Sequence, residues 1–313
     1  MKTLRIRDDF GLKISDIDLC EPLSDFQFKQ ILDYFYKYSL LVFPNQSLTP
    51  RAQAAFCHRL GQPKIETRKQ FNFQECPEVS TIGNIIGKND KQLSFFARGG
   101  FGWHTDGTAA CHVNAATLLY AVEVPRNGGD TLFLSTASTY DRAPNELKKQ
   151  LESVSVLSSF HAHNDPLLES DPDSFIALSQ QERDALPPVW HKVIQTHPVT
   201  KRSVFYLNLD PLQFKGIDDQ TGRELLKQVV EIASQPEHVY QHQWTPGELI
   251  IWDNHSLLHS GTPTLMYESD QRLMHRSFVY TLPTERPLKN YDEVSQIFMP
   301  TSDSIKLSDF DVS

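Results

Sequence analysis

The chain has 313 residues, a formal charge of −9, and 39 % hydrophobic against 22 % charged residues. This is the composition of a folded protein with a sizeable core, and it excludes a disordered or fibrous chain. The acidic balance argues against a nucleic-acid or anionic-membrane binder, and no apolar run approaches a membrane span or a secretory segment, so a cytoplasmic protein is expected.

Ser24 followed by Asp25–Tyr38 predicts a capped amphipathic helix, with Phe26, Ile31, Leu32 and Phe35 at helical spacing. A buried strand, Leu40–Phe43, comes next, and Thr49-Pro50 opens a second helix to about Leu60. From Val79 onward short β-rich runs recur: Val79–Ile82, Ala115–Val124, Thr131–Leu134, Val193–Thr196, Ser203–Leu209, Leu249–Trp252 and Leu273–Tyr280. Turn chemistry such as Asn127-Gly128-Gly129-Asp130 and Thr245-Pro246-Gly247 separates them. Helical patterns interrupt the strands at Ser138–Leu151 and Gly222–Ser234, and residues 160–188 read as a polar insert or lid. Many short strands with outside helices predict a mainly β fold, a sandwich or barrel, in one domain over 1–313. Cys20, Cys57, Cys76 and Cys111 form no CxxC pair and suit separate reduced thiols.

His104-Thr105-Asp106 places two metal-binding side chains at i and i+2, which share a face on an extended segment. Two histidines and one carboxylate suit iron(II) and leave coordination positions open, and His259 is the candidate third ligand. With 12 histidines, about one His-x-Asp is expected by chance. The chain has a second copy, His163-Asn164-Asp165, whose polar surroundings mark it as a solvated loop. The first copy is flanked by Phe101, Trp103 and glycines, as a buried metal edge would be. A lone histidine in an apolar run is more often a core residue bonded to backbone. His255 would face the same way as His259 on an unbroken strand, so spacing leaves it as a donor behind a ligand, a substrate contact, or the ligand itself.

Near the carboxyl terminus, Arg272, Met274, Arg276 and Phe278 share one face under period-2 alternation. A buried guanidinium needs an anion. The functional reading is a bidentate clamp on small-molecule carboxylates, with a Thr131 hydroxyl assisting; the plain one is pairing with internal Asp or Glu. At extended rise the two arginines stand about 13–14 Å apart, so they imply two anions.

Taken in order, these segments resemble the taurine/2,4-dichlorophenoxyacetate dioxygenase (TauD/TfdA) family. The matching stretches are Trp103-His104-Thr105-Asp106, Gly128-Gly129-Asp130-Thr131, Thr196-His197-Pro198-Val199-Thr200 leading to Tyr206-Leu207-Asn208, Gly247-Glu248-Leu249 with Trp252-Asp253-Asn254 and His259, and Arg272 with Arg276. The resemblance implies a cupin-like double-stranded β-helix, or jelly roll, with flanking helices. It implies iron(II) at His104, Asp106 and His259, and 2-oxoglutarate held by Thr131 and Arg272. With O₂ as the oxidant, the substrate would be a small acidic molecule, plausible as an amino-acid derivative, met by Arg276 and His255. Hydroxylation, desaturation, cyclisation and isonitrile formation are all known in relatives of this type.

Three departures stand out. Asp253-Asn254-His255 replaces the usual Asp-Asn-Arg, Thr200-Lys201 replaces a frequent Thr-Gly turn, and Arg98-Gly99-Gly100-Phe101-Gly102 replaces polar residues that help bind taurine. The ligand set alone is also compatible with a jelly-roll metal binder lacking turnover, or with a zinc hydrolase. Oligomeric assembly is left open, and no Gly-x-Ser-x-Gly elbow or dinucleotide fingerprint is present.

Overall fold

Apolar residues run without interruption through Leu40–Phe43 and Leu249–Trp252 because both faces of these strands are covered. The computed structural model describes residues 1–95, 102–108, 114–170, 177–208, 211–263, 270–283 and 289–310. Residues 98–101, Cys111 and Leu209, which entered the sequence reading, lie outside these.

Among the described residues the larger sheet has nine strands. In spatial order its centre is Leu40–Phe43, Leu249–Asp253, Ala116–Glu123, Leu273–Thr281 and Cys76–Gly83, with every one of these neighbours antiparallel. A smaller sheet runs Tyr240–His242, Thr131–Ser135, Leu257–Gly261. Alternation sends Leu40, Val42, Leu119, Ile250, Trp252 and Met274 inward, where they meet Phe133 and Leu257 of the smaller sheet. Their alternates Leu41, Phe43, Leu249 and Ile251 pack outward on Ile31 and Phe35 of one helix and Phe56 and Leu60 of another. Behind the smaller sheet, Leu134 and Leu258 meet Leu225 and Val229 of helix Asp219–Ala233. Each such fully buried side chain contributes about 1.5–3 kcal/mol. The two facing sheets with outer helices form the expected jelly roll.

The first two helices have the predicted bounds. Asp25–Tyr38 starts at a Ser24 cap whose hydroxyl accepts from the Gln27 N–H, while the Gln27 side chain accepts from the Ser24 N–H. Pro50–Leu60 starts at Thr49. Three expectations are corrected. Ser138–Leu151 is two helices, Thr136–Arg142 and Asn145–Leu151, because Pro144 disfavours helical backbone at the residue before it. The strand from Ser203 ends at Phe205. His163 and Asp165 lie on helix Phe160–Ser170, not a loop, and Asp165 pairs with Arg183 at 3.0 Å. The 160–188 stretch also carries helix Gln180–Asp184, tied down by Lys69 to Glu182 at 2.6 Å. Among the described residues, no helix is long and apolar enough to cross a membrane, and Cys20, Cys57 and Cys76 are free thiols.

Candidate active site

His104 and His259 belong to segments far apart in the chain, yet they pair as β-partners. The His104 N–H donates to the His259 carbonyl at 3.0 Å and the His259 N–H to the His104 carbonyl at 2.9 Å. This puts their rings 4.2 Å apart between centroids. Asp106 completes the group: its Oδ1 lies 3.9 Å from His104 Nε2 and its Oδ2 3.6 Å from His259 Nε2. All three ligand-type atoms lie within 4.8 Å of one another, and no other such cluster occurs among the described residues.

The donor set fits a divalent ion. His104 Nδ1 is 2.9 Å from the Gly102 carbonyl, so its proton sits there and the Nε2 lone pair faces the cluster. Burial, helped by the Arg276 charge, pushes His259 down to about 3 against the opposing pull of Asp106, so its ring is neutral, as a ligand must be. Burial raises the Asp106 carboxyl, but its surroundings, the Arg276 charge and the Thr117 hydrogen bond among them, hold it below the usual carboxylate range. Trp252 and Phe133 pack on the His259 ring at 4.8 and 6.3 Å and keep that side dry.

His255 does not join the cluster. The chain leaves its strand at Asp253 and turns through 254–256, so the alternation that would have aligned His255 with His259 is broken. The His255 N–H donates to Asp253 Oδ1 at 2.9 Å and its ring stands edge-on to His197 at 5.3 Å. His197 is itself fixed: its Nδ1 accepts the N–H groups of Val199 and Thr200, and its Nε2 meets Asp253 Oδ2 at 3.0 Å. That buried pair joins two of the segments that the sequence singles out. The turn beside it needs a left-handed residue, and Lys201 adopts it at φ 61° where glycine is frequent.

Arg272 precedes the strand Leu273–Thr281, its N–H donating to Asn84 Oδ1 at 2.7 Å. Its guanidinium makes no hydrogen bond or ion pair among the described residues, and burial pushes it down to about 10. The Gly128-Gly129 turn lies against it. A Cβ on Gly129, at φ +71°, would sit 2.9 Å from Pro125 Cγ and 3.4 Å from Arg272 Nε. Thr131, buried, accepts the Trp244 indole N–H at 3.0 Å. Arg276 is placed differently: it pairs with Glu66 at 2.5 Å and lies over the Phe278 ring.

Lys64, Glu66 and Arg68 were not singled out from the sequence, although Lys-x-Glu-x-Arg on an extended segment is a readable signal. Arg68 Nη1 is 4.0 Å from Glu66 Oε1, which also accepts the Thr67 N–H at 2.8 Å. Burial raises Glu66, yet Arg276, Arg68 and Lys64 together hold it below its ordinary value. Burial lowers Lys64, against the pull of Glu66 and Asp106. Three cations thus surround one carboxylate within electrostatic reach of Asp106.

Residues 3–278 match the model of the taurine catabolism dioxygenase TauD, TfdA family. The chain belongs to the TauD/TfdA family. Among its relatives is the alpha-ketoglutarate-dependent 2,4-dichlorophenoxyacetate dioxygenase of Cupriavidus pinatubonensis, 31 % identical over 261 residues that cover 80 % of this chain and 88 % of that protein. A solved Burkholderia xenovorans protein, assigned as an alpha-ketoglutarate-dependent 2,4-D dioxygenase, is 28 % identical, with a TM-score of 0.72 over 91 % of this chain and 99 % of that one. AAD-2, solved with Mn(II) and N-oxalylglycine, is 26 % identical, with a TM-score of 0.71 over 91 % and 99 %. As a TauD/TfdA protein the chain is a 2-oxoglutarate-dependent dioxygenase using iron(II), 2-oxoglutarate and O₂ on a small molecule. This family identity decides against the hydrolase and the metal binder without turnover.

Proposed function

We propose that His104, Asp106 and His259 hold the iron(II), that Arg272 and Thr131 hold the far carboxylate of 2-oxoglutarate, and that the substrate is a small acid met by Arg276. The observation that carries the metal assignment is the convergence of three ligand atoms within 4.8 Å across a backbone bridge. When bound, iron(II) and 2-oxoglutarate supply the oxidising chemistry, one O₂ being consumed as 2-oxoglutarate becomes succinate and CO₂.

The protein groups orient and desolvate. Arg272, a half-buried fork of donors with no counter-charge among the described residues, suits a bidentate carboxylate. An indole N–H can only donate, so Trp244 occupies an acceptor position of Thr131 Oγ1. The Thr131 proton is then free to point at the same carboxylate. For the substrate, three cations around Glu66 leave positive charge in excess, which supports an acidic group on the ligand. Glu66 beside them suits a substrate that also brings a donor, as an amino-acid derivative does. His255, behind Asp253, acts through that carboxylate on the turn that leads to His259.

His104→Ala and His259→Ala should each abolish iron-dependent 2-oxoglutarate consumption, while His163→Ala leaves it intact. Activity retained in His259→Ala and lost in His255→Ala would move the third ligand. A screen of matched acids and neutral amides, scored by substrate-triggered succinate release, tests the substrate class; a best substrate without an acidic group refutes it.

A further inference from the structure

We infer that Thr117 and Asn254 are positioning residues of the metal centre, forming a one-way chain of hydrogen bonds that begins at Trp252 and ends on Asp106. This inference rests on Asp106 being an iron ligand. Thr117 and Trp252 are cross-strand partners between Ala116–Glu123 and Leu249–Asp253, and Asn254 follows directly where the second strand ends. Trp252 Nε1 lies 3.1 Å from Asn254 Oδ1, Asn254 Nδ2 lies 2.8 Å from Thr117 Oγ1, and Thr117 Oγ1 lies 2.8 Å from Asp106 Oδ2. All three chain members are at most 2 % exposed, so water does not compete for these groups.

The direction of the chain follows from donor and acceptor capacity alone. The indole nitrogen can only donate, so it fixes the Asn254 amide with Oδ1 toward Trp252 and Nδ2 toward Thr117. The Asn254 N–H then occupies an acceptor position on the Thr117 hydroxyl. The Thr117 proton is left one acceptor, Asp106 Oδ2. A hydroxyl free to rotate would spend time as an acceptor facing away; this one is held as a donor. The carboxylate is thereby pinned in rotation. No hydrogen bond reaches Oδ1 among the described residues, where His104 Nε2 stands 3.9 Å away. Thr117 and Asn254 touch no ligand position themselves; they act through Asp106. Partners of this kind behind a metal ligand characteristically change affinity by about 10–100-fold when removed.

The test uses the full-length protein, freed of metal with a chelator and titrated anaerobically with Co(II), reading the dissociation constant and the visible ligand-field bands, alongside the thermal midpoint. Thr117→Val keeps the branched shape and removes the hydroxyl; it should bind Co(II) at least about 10-fold more weakly, with shifted bands. Thr117→Ser, which restores the donor, should return to within about twofold of the parent. Asn254→Ala frees the hydroxyl to rotate and should give a smaller loss than Thr117→Val. Parental affinity and bands in a folded Thr117→Val overturn the inference. Should that variant not fold, parental affinity in Asn254→Ala overturns it instead. Asp106→Ala separates the premise: if it too binds Co(II) normally, the ligand assignment has failed, whereas its loss beside an unaffected Thr117→Val sinks the positioning role alone.

Discussion

Arg272 and Arg276 stand near the same end of one strand, but their surroundings are opposite. Arg272 is half-buried, with the Gly129 turn against its side chain and no acid beside its guanidinium among the described residues. Arg276 is paired with Glu66 and shares it with Arg68 and Lys64. An uncompensated buried cation costs several kcal/mol, so a fold keeps one where a ligand will supply the missing charge. A cation with its own carboxylate can remain stable whether or not a ligand is present. The first arrangement suits a cosubstrate that every turnover requires. The second suits a substrate that arrives afterward and must rearrange a prebalanced group.

The largest expected effect is at Arg272. Arg272→Ala should weaken 2-oxoglutarate by about 3–5 kcal/mol, read as a raised 2-oxoglutarate KM with little change for the substrate. An unchanged value would erase the contrast between the two arginines. Arg276→Ala should cost about 1.5–3 kcal/mol in binding of an acidic substrate and much less for its neutral amide. Equal losses for acid and amide would reduce Arg276 to a structural partner of Glu66. The mildest test is Glu66→Gln. Because the folded protein holds Glu66 below its ordinary value, its ionisation contributes stability above about pH 4.3, and that contribution is lost as pH falls through the lower folded value. Urea unfolding from pH 7 to pH 3 should therefore show parent and Glu66→Gln converging in acid. No such convergence is expected for Arg272→Ala, since Arg272 has no carboxylate partner among the described residues.

Most of the frame was legible. Local signals mark the helices at Asp25 and Pro50, because a capping serine or threonine and an N-terminal proline act within one turn. Strands with both faces buried show as apolar runs. What escaped depends on tertiary context. Tyr240–His242 and Gln213–Lys215 are too short to carry a period and exist only because a neighbour pairs with them. Helix Phe160–Ser170 contains Pro166 and many polar residues, and its Phe160, Leu167 and Leu168 are anchored on distant Phe71, Phe95 and Ile65. At the site, the order of motifs pointed to His104, Asp106 and His259, and the structure brings them together. The position of His255 was not readable, since the turn after Asp253 resets the alternation. Glu66 was missed because its partner, Arg276, lies more than half the chain away.

The backbone bridge between His104 and His259 has a consequence for folding. Pairing the two segments closes a long loop, whose entropic cost their bridge must offset. A divalent ion seated across them would act as a removable cross-link, joining distant segments as a disulfide does but reversibly with metal supply. Bound to the folded chain alone, it adds about 2.7 kcal/mol of stability at a hundredfold excess over its dissociation constant. Iron supply would then govern how long the protein survives proteolysis as well as how fast it turns over.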